Sequence, residues 1–227
     1  LVLSVFNGFE DLITSMYSNF NPQIKVTPAK GKTFALDSAT FTAIRSLPGV
    51  IAVSGTLEEV AFFEYRDKQD FGIIKGVDAY FDEVTRIDST VREGRYALRD
   101  NGRELAVLGL GMRNKLAVNT DNPFEPLHIY LPKARETSMF EPQFRKRIAF
   151  PAGTFIIQQE FDNQYVLTSL DLCRELLGDP EALSALEFKL APGFTPEMIF
   201  PQVERLLGPG FDLRDRYQQE EAFMKLM

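Results

Sequence analysis

The sequence predicts an α+β protein with one lobe built from two β-α-β units at opposite ends of the chain and an inserted, mainly β lobe between them. Three observations carry this. A strand, a capped helix and a second strand follow one another between Ile24 and Val53. The same order recurs between Leu186 and Arg214. The stretch between them reads mainly as strands. Residues 1–85 and 165–227 are assigned to the first lobe and 86–164 to the insertion.

The first unit opens with alternation over Ile24–Ala29. Asp37 is placed to cap a helix whose apolar face is Phe41, Ile44 and Leu47. Pro48-Gly49 ends that helix, and Val50–Val53 starts the next strand. In the second unit Leu186–Leu190 alternates, and Thr195-Pro196-Glu197 opens a helix with proline at its first turn. Ile199, Val203, Leu206 and Leu207 form its apolar side, and Gly208-Pro209-Gly210 breaks it before an extended Phe211–Arg214. The outlines of Ser46–Val50 and Leu207–Phe211 match, a repeat of pattern with little identity.

In the middle, Val60–Tyr65 and Phe71–Val77 read as a hairpin-like pair joined by Arg66–Asp70. Leu105–Leu116 passes from strand to helix around Gly109-Leu110-Gly111. Leu127–Leu131 and Phe155–Gln159 read as strands, and Val166–Leu177 as a helix capped by Thr168 or Ser169 and ended by Gly178. Asp121–Pro126 and Ala134–Arg147 read as loops. At the N-terminus, Phe6, Phe9, Ile13, Met16, Tyr17 and Phe20 recur at helical spacing, either as an amphipathic helix leaving a membrane or as one packed on its own domain. Leu1–Phe6 is apolar on every side, and Glu220–Met227 begins a further helix. No run of 18 or more apolar residues spans a bilayer.

Composition removes several function classes. A net charge of -7 disfavours nucleic acid, whose phosphates need dense Lys and Arg contacts. Cys173 is the only cysteine, so no intrachain disulfide forms, and it reads as a small buried residue. His128 is the only histidine, far from Cys173 in sequence, which makes a Cys/His nucleophile or a zinc site improbable. Gly109-Leu110-Gly111 lacks the third glycine of a dinucleotide fingerprint and reads as a tight turn. The acidic pairs Glu58-Glu59, Asp82-Glu83 and Glu220-Glu221 read as solvated surface. No phosphate loop, nucleophile elbow or metal-spaced cluster appears, so neither an enzyme nor a cofactor is expected.

Met139-Phe140-Glu141-Pro142-Gln143-Phe144-Arg145-Lys146-Arg147 is different. It joins aromatics, a proline and three cations in one expected loop. Aromatic and Arg side chains together are the chemistry of binding hot spots. The candidate partner-binding residues are Met139, Phe140, Pro142, Phe144, Arg145, Lys146 and Arg147. The other reading is a loop that folds back and buries both rings.

Short motifs in order along the chain resemble a known family. Leu3-Ser4-Val5-Phe6-Asn7-Gly8-Phe9 is similar to the end of the first membrane helix in ABC-transporter permeases of the LolC/LolE lipoprotein-releasing type. Leu47-Pro48-Gly49-Val50, Ile74–Asp78, Val107-Leu108-Gly109 with Leu116-Ala117-Val118, and Ala152–Phe155 resemble later segments of the same group. Asn119–Pro123 departs from its usual Gly-Asp turn. The resemblance implies an extracytoplasmic, MacB-like periplasmic core domain, with a porter-like lobe from both chain ends and an inserted Sabre-like lobe. It implies an inner-membrane permease, a cytoplasmic ABC ATPase, a second permease copy or paralogue, and a lipoprotein or lipid substrate. One permease of the lipoprotein-releasing branch hooks a periplasmic carrier with the loop before the Gly-Thr-Phe strand, the position of Met139–Arg147 here. MacB-like efflux permeases, FtsX-like signalling permeases and free-standing extracytoplasmic binding modules are the alternatives.

Overall fold

The computed structural model describes residues 21–122, 124–133 and 143–224. The proposed N-terminal helix over Phe6–Phe20 and all of the Ala134–Pro142 segment therefore lie outside the described residues.

The two β-α-β units interleave in one sheet. β1 (Ile24–Pro28), α1 (Ser38–Arg45) and β2 (Val50–Tyr65) form the first. β10 (Ala185–Leu190), α6 (Pro196–Leu207) and β11 (Phe211–Asp215) form the second. The strand order at this end is β11-β1-β10-β2, every neighbour antiparallel. Each unit thus holds a strand of the other between its own two, the split β-α-β arrangement. Ile24 pairs with both Phe188 and Asp215, so the expectation that the Ile24 and Leu186 strands share a sheet is met.

Local chemistry sets the helix limits. Asp37 accepts hydrogen bonds from the backbone N–H groups of Ala39 and Thr40, at 3.0 and 2.9 Å, and so caps α1. Ile44, Ile199 and Val203 are the fully buried positions of α1 and α6. Burying each such side chain contributes about 1.5–3 kcal/mol.

Two predicted strands are one. β2 runs unbroken for 16 residues, through the Glu58-Glu59 pair that reads as solvated surface in the sequence. It survives because Glu58 is matched by buried and half-buried cations. Up to Thr56 it pairs with β10, and from Thr56 onward with β3 (Lys68–Val77), across a tight turn at Arg66-Asp67.

The remaining chain adds β4 (Val91–Gly94), β5 (Arg99–Asp100), β6 (Arg103–Gly109), β7 (Leu127–Pro132), β8 (Phe144–Phe155) and β9 (Tyr165–Ser169). Short helices α2 (Phe81–Thr85), α3 (Leu110–Lys115) and α4 (Gln159–Asp162) connect them. The predicted helix over Val166–Leu177 divides. Its first residues form β9, which pairs in parallel with β3, and Ser169 then caps α5 (Leu170–Leu177). Gly178 ends α5 at φ 78, as expected for a C-terminal glycine. The strand expected over Phe155–Gln159 instead ends at Phe155. Beyond it Ile157 N–H donates to the Asp162 carboxylate at 2.9 Å and the chain turns into α4. The last helix, α7 (Arg216–Met224), begins before Glu220.

The pairings close on themselves. β2–β3, β3–β9, β9–β6, β6–β8, β8–β7 and β7–β2 form a ring. Phe63, Tyr65, Leu108, Ile129 and Val166 from the ring share one apolar cluster with Ile24, Ile44, Phe188 and Val203 of the split unit. α5 packs against β2, β3, β7, β8 and β9. The ring takes strands from both sides of the boundaries at 86 and 164, so one sheet runs through both assigned segments, and so does each of its two apolar clusters.

Candidate functional site

The hairpin β7–β8 positions the described part of the predicted partner-binding segment. Phe144–Arg147 is strand, not loop as the sequence suggested. It pairs with β7 in the register Pro132↔Phe144, Leu131↔Arg145, Tyr130↔Lys146 and Ile129↔Arg147. The aromatic and cationic composition concealed this, because only the pairing with Leu127–Pro132 reveals the strand. Met139, Phe140 and Pro142 lie outside the described residues.

Strand alternation then splits the group in two. Arg145 and Arg147 turn to the side of α5. Arg145 donates from Nη1 to the Leu177 carbonyl at 2.6 Å, at the end of the helix where carbonyls lack partners and a cation is favoured. Arg147 donates from Nε to Glu175 at 2.8 Å. Phe144 and Lys146 occupy the alternate positions on the opposite, outer face. Phe144 is 53% exposed, and the Lys146 ammonium sits 5.0 Å from the centre of the Tyr130 ring.

That outer face carries residues the sequence reading did not single out. Phe71 on β3, Phe62 on β2, Tyr130 on β7 and Lys146 on β8 stand in one cross-strand rank. The ring centres are 5.1 Å apart for Phe62–Phe71 and 5.9 Å for Phe62–Tyr130. Val60 and Phe71 are 63% and 67% exposed, and Ile148 on the same face is 42% exposed. Beside them Tyr130 donates its hydroxyl to Glu64 at 2.6 Å, and this bond holds the Glu64 carboxyl below its usual range. The signal in the sequence was Val60-Ala61-Phe62-Phe63, apolar at consecutive strand positions, which places apolar side chains on both faces. One face builds the core and the other is open, the composition of a contact surface.

Other predicted features fall elsewhere. His128 pairs across from Glu64 on the outer face, whereas Cys173 is buried in the core with its thiol pushed up to about 12 by burial. A side chain at Gly109 or Gly111 would strike Asp162 or Asn163, so these glycines serve close packing against α4. Glu58 is not solvated surface. It receives Lys75 Nζ at 2.8 Å and Lys25 Nζ at 3.5 Å. Burial alone would raise its pKa, but Lys25 and Lys75 outweigh burial and bring it to about 2. Among the described residues no group of three His, Cys, Asp or Glu is placed to hold a metal ion. No described helix is long and apolar enough to cross a membrane.

No protein-family model matches the sequence, and no curated protein matches it. Solved structures do resemble it. The extracellular domain of the noncanonic ABC-type transporter YknZ from Gram-positive bacteria superposes with a TM-score of 0.61 at 13% identity, covering 85% of this chain and 99% of that one. The periplasmic region of MacB from Actinobacillus actinomycetemcomitans gives 0.61 at 10% identity, covering 92% and 94%. A domain of a putative permease from Porphyromonas gingivalis gives 0.51 at 13% identity, covering 88% and 91%. The chain shares their fold. It is a mixed α+β, sheet-dominated fold of the MacB periplasmic type.

Proposed function

We propose that this chain is the extracytoplasmic domain of an ABC-transporter permease, held between two membrane helices and moved by a cytoplasmic ATPase. The observation that carries the reading is the likeness, over nearly whole domains, to the extracellular part of YknZ and the periplasmic region of MacB. The path of the chain supports it. Ile24 pairs with Asp215, so the polypeptide enters and leaves the described fold at the same end. A domain inserted between neighbouring membrane helices needs that geometry.

In this reading the domain performs no chemistry of its own. It transmits the ATPase cycle mechanically, within a dimer formed with a second permease copy or a paralogue. The Met139–Arg147 segment, with the open face beside Phe144 and Lys146, engages a periplasmic carrier and serves lipoprotein release toward the outer membrane. MacB-like efflux is the second reading, favoured by the 92% coverage against MacB.

Affinity purification of the full-length protein from native membranes tests the proposal. The expected result is co-purification of an ABC ATPase subunit whose hydrolysis rises in the complex. A full-length protein recovered from the soluble fraction without any ATPase contradicts it. Capture of a lipoprotein carrier, lost in Phe140→Ala and Phe144→Ala, separates lipoprotein release from efflux.

A further inference from the structure

Glu187 is 0% exposed and Lys75 1% exposed, at the centre of the sheet. Lys75 Nζ donates to Glu187 Oε1 at 2.6 Å and to Glu58 Oε1 at 2.8 Å. Thr56 donates its hydroxyl to Glu187 Oε1 at 3.2 Å, and Tyr165 donates to Glu58 Oε2 at 3.4 Å. Lys25 Nζ reaches Glu58 at 3.5 Å. These residues stand on β1, β10, β2, β3 and β9, consecutive strands of the sheet.

The place of the group is specific. β10 and β3 are not neighbours, since β2 lies between them. Pairing of β2 with β10 ends at Thr56, and pairing with β3 begins there. Backbone hydrogen bonds therefore join the split unit to the ring through β2 alone at this point. The Lys75–Glu187 bond crosses over β2 at that changeover and ties the flanking strands directly. Burying two ions costs several kcal/mol per ion, and a well-packed apolar set often equals or betters such a pair in stability. Stability is thus a poor reason for these residues, and coupling is a better one.

We infer that the Lys75–Glu187 crossing, braced by Glu58 and Thr56, is a positioning device that makes the split unit and the ring open and move as one body.

Native-state hydrogen exchange on the 227-residue chain across a denaturant series tests this. In the parent, the amides of Val26 and Phe188 should open with those of Ile74 and Val166 in one cooperative unit. In the triple variant Thr56→Val, Lys75→Met, Glu187→Leu, which leaves Glu58 paired with Lys25, the Val26 and Phe188 amides should open at least tenfold more often than those of Ile74 and Val166. If the triple variant does not fold, Glu187→Gln decides, with at least a threefold separation expected. A parent whose two parts already open separately overturns the inference, and so does a folded variant that still opens as one unit.

Discussion

Lys75 and Glu187 meet at 2.6 Å although the strands that carry them are separated by β2. Removing only one of them strands the other charge in the core. Lys75→Ala should therefore destabilise the domain by about 3–5 kcal/mol, read as a lower urea midpoint. The apolar triple replacement should cost far less than that single change.

The same network predicts acid sensitivity. The folded Glu58 carboxyl sits at about 2 against an ordinary 4.5. Its folded pKa is depressed, so its contribution is complete above about pH 4.5 and is lost as the pH falls toward 2. A shift of this size corresponds to about 3 kcal/mol at most. Asp78 is raised by burial and contributes with the opposite sign. Urea midpoints measured from pH 6 down to 2.5 should fall in the parent and fall less steeply in Glu58→Gln.

Helix α5 and strand β3 are held at contact distance by Gly76. A Cβ built there lies 2.4 Å from the Cys173 Cβ. Gly76→Ala should destabilise the domain by about 1–3 kcal/mol through overpacking. It should also speed reaction of the Cys173 thiol, which is 0% exposed in the parent, with a disulfide reagent.

The split of Phe144–Arg147 between two faces predicts two classes of variant. Arg145→Ala removes a charged hydrogen bond to the Leu177 carbonyl and should cost about 1.5–3 kcal/mol of stability. Phe144→Ala, on the open face, should change stability by no more than about 0.5 kcal/mol, and Phe71→Ser, which also loses the ring contact with Phe62, by about 0.5–1.5 kcal/mol. If the face binds a partner, those two should instead weaken capture by about 2 kcal/mol, roughly thirtyfold. Calorimetry with the purified partner, alongside thermal melts, separates the classes.

Much of the split unit was legible in the sequence because its signals are local. Asp37 caps α1 and Thr195-Pro196 opens α6 as read, and outside the unit Ser169 and Gly178 bound α5 by the same kind of signal. What was missed depends on strands distant in sequence. β2 reads in the sequence as separate strands with Glu58 between them as solvated surface, and only Lys25 and Lys75 from other strands make it a half-buried, paired position. Phe144–Arg147 looked like a loop because its pairing with Leu127–Pro132 leaves no local mark. Alternation could have divided Phe144 and Lys146 from Arg145 and Arg147, had the strand been recognised. The apolar doublet at Phe62-Phe63 was the one local hint of the open face.

The most direct test of the permease reading is the side of the membrane on which the open face lies. Phe71 is 67% exposed and Cys173 is 0% exposed, so within these 227 residues Phe71→Cys adds one reactive thiol, and the unsubstituted full-length protein labelled in parallel gives the background. Intact cells stripped of any outer membrane are treated with a membrane-impermeant maleimide, before and after lysis. The account predicts full labelling before lysis, with no gain afterwards. Labelling that appears only once the cells are broken contradicts it.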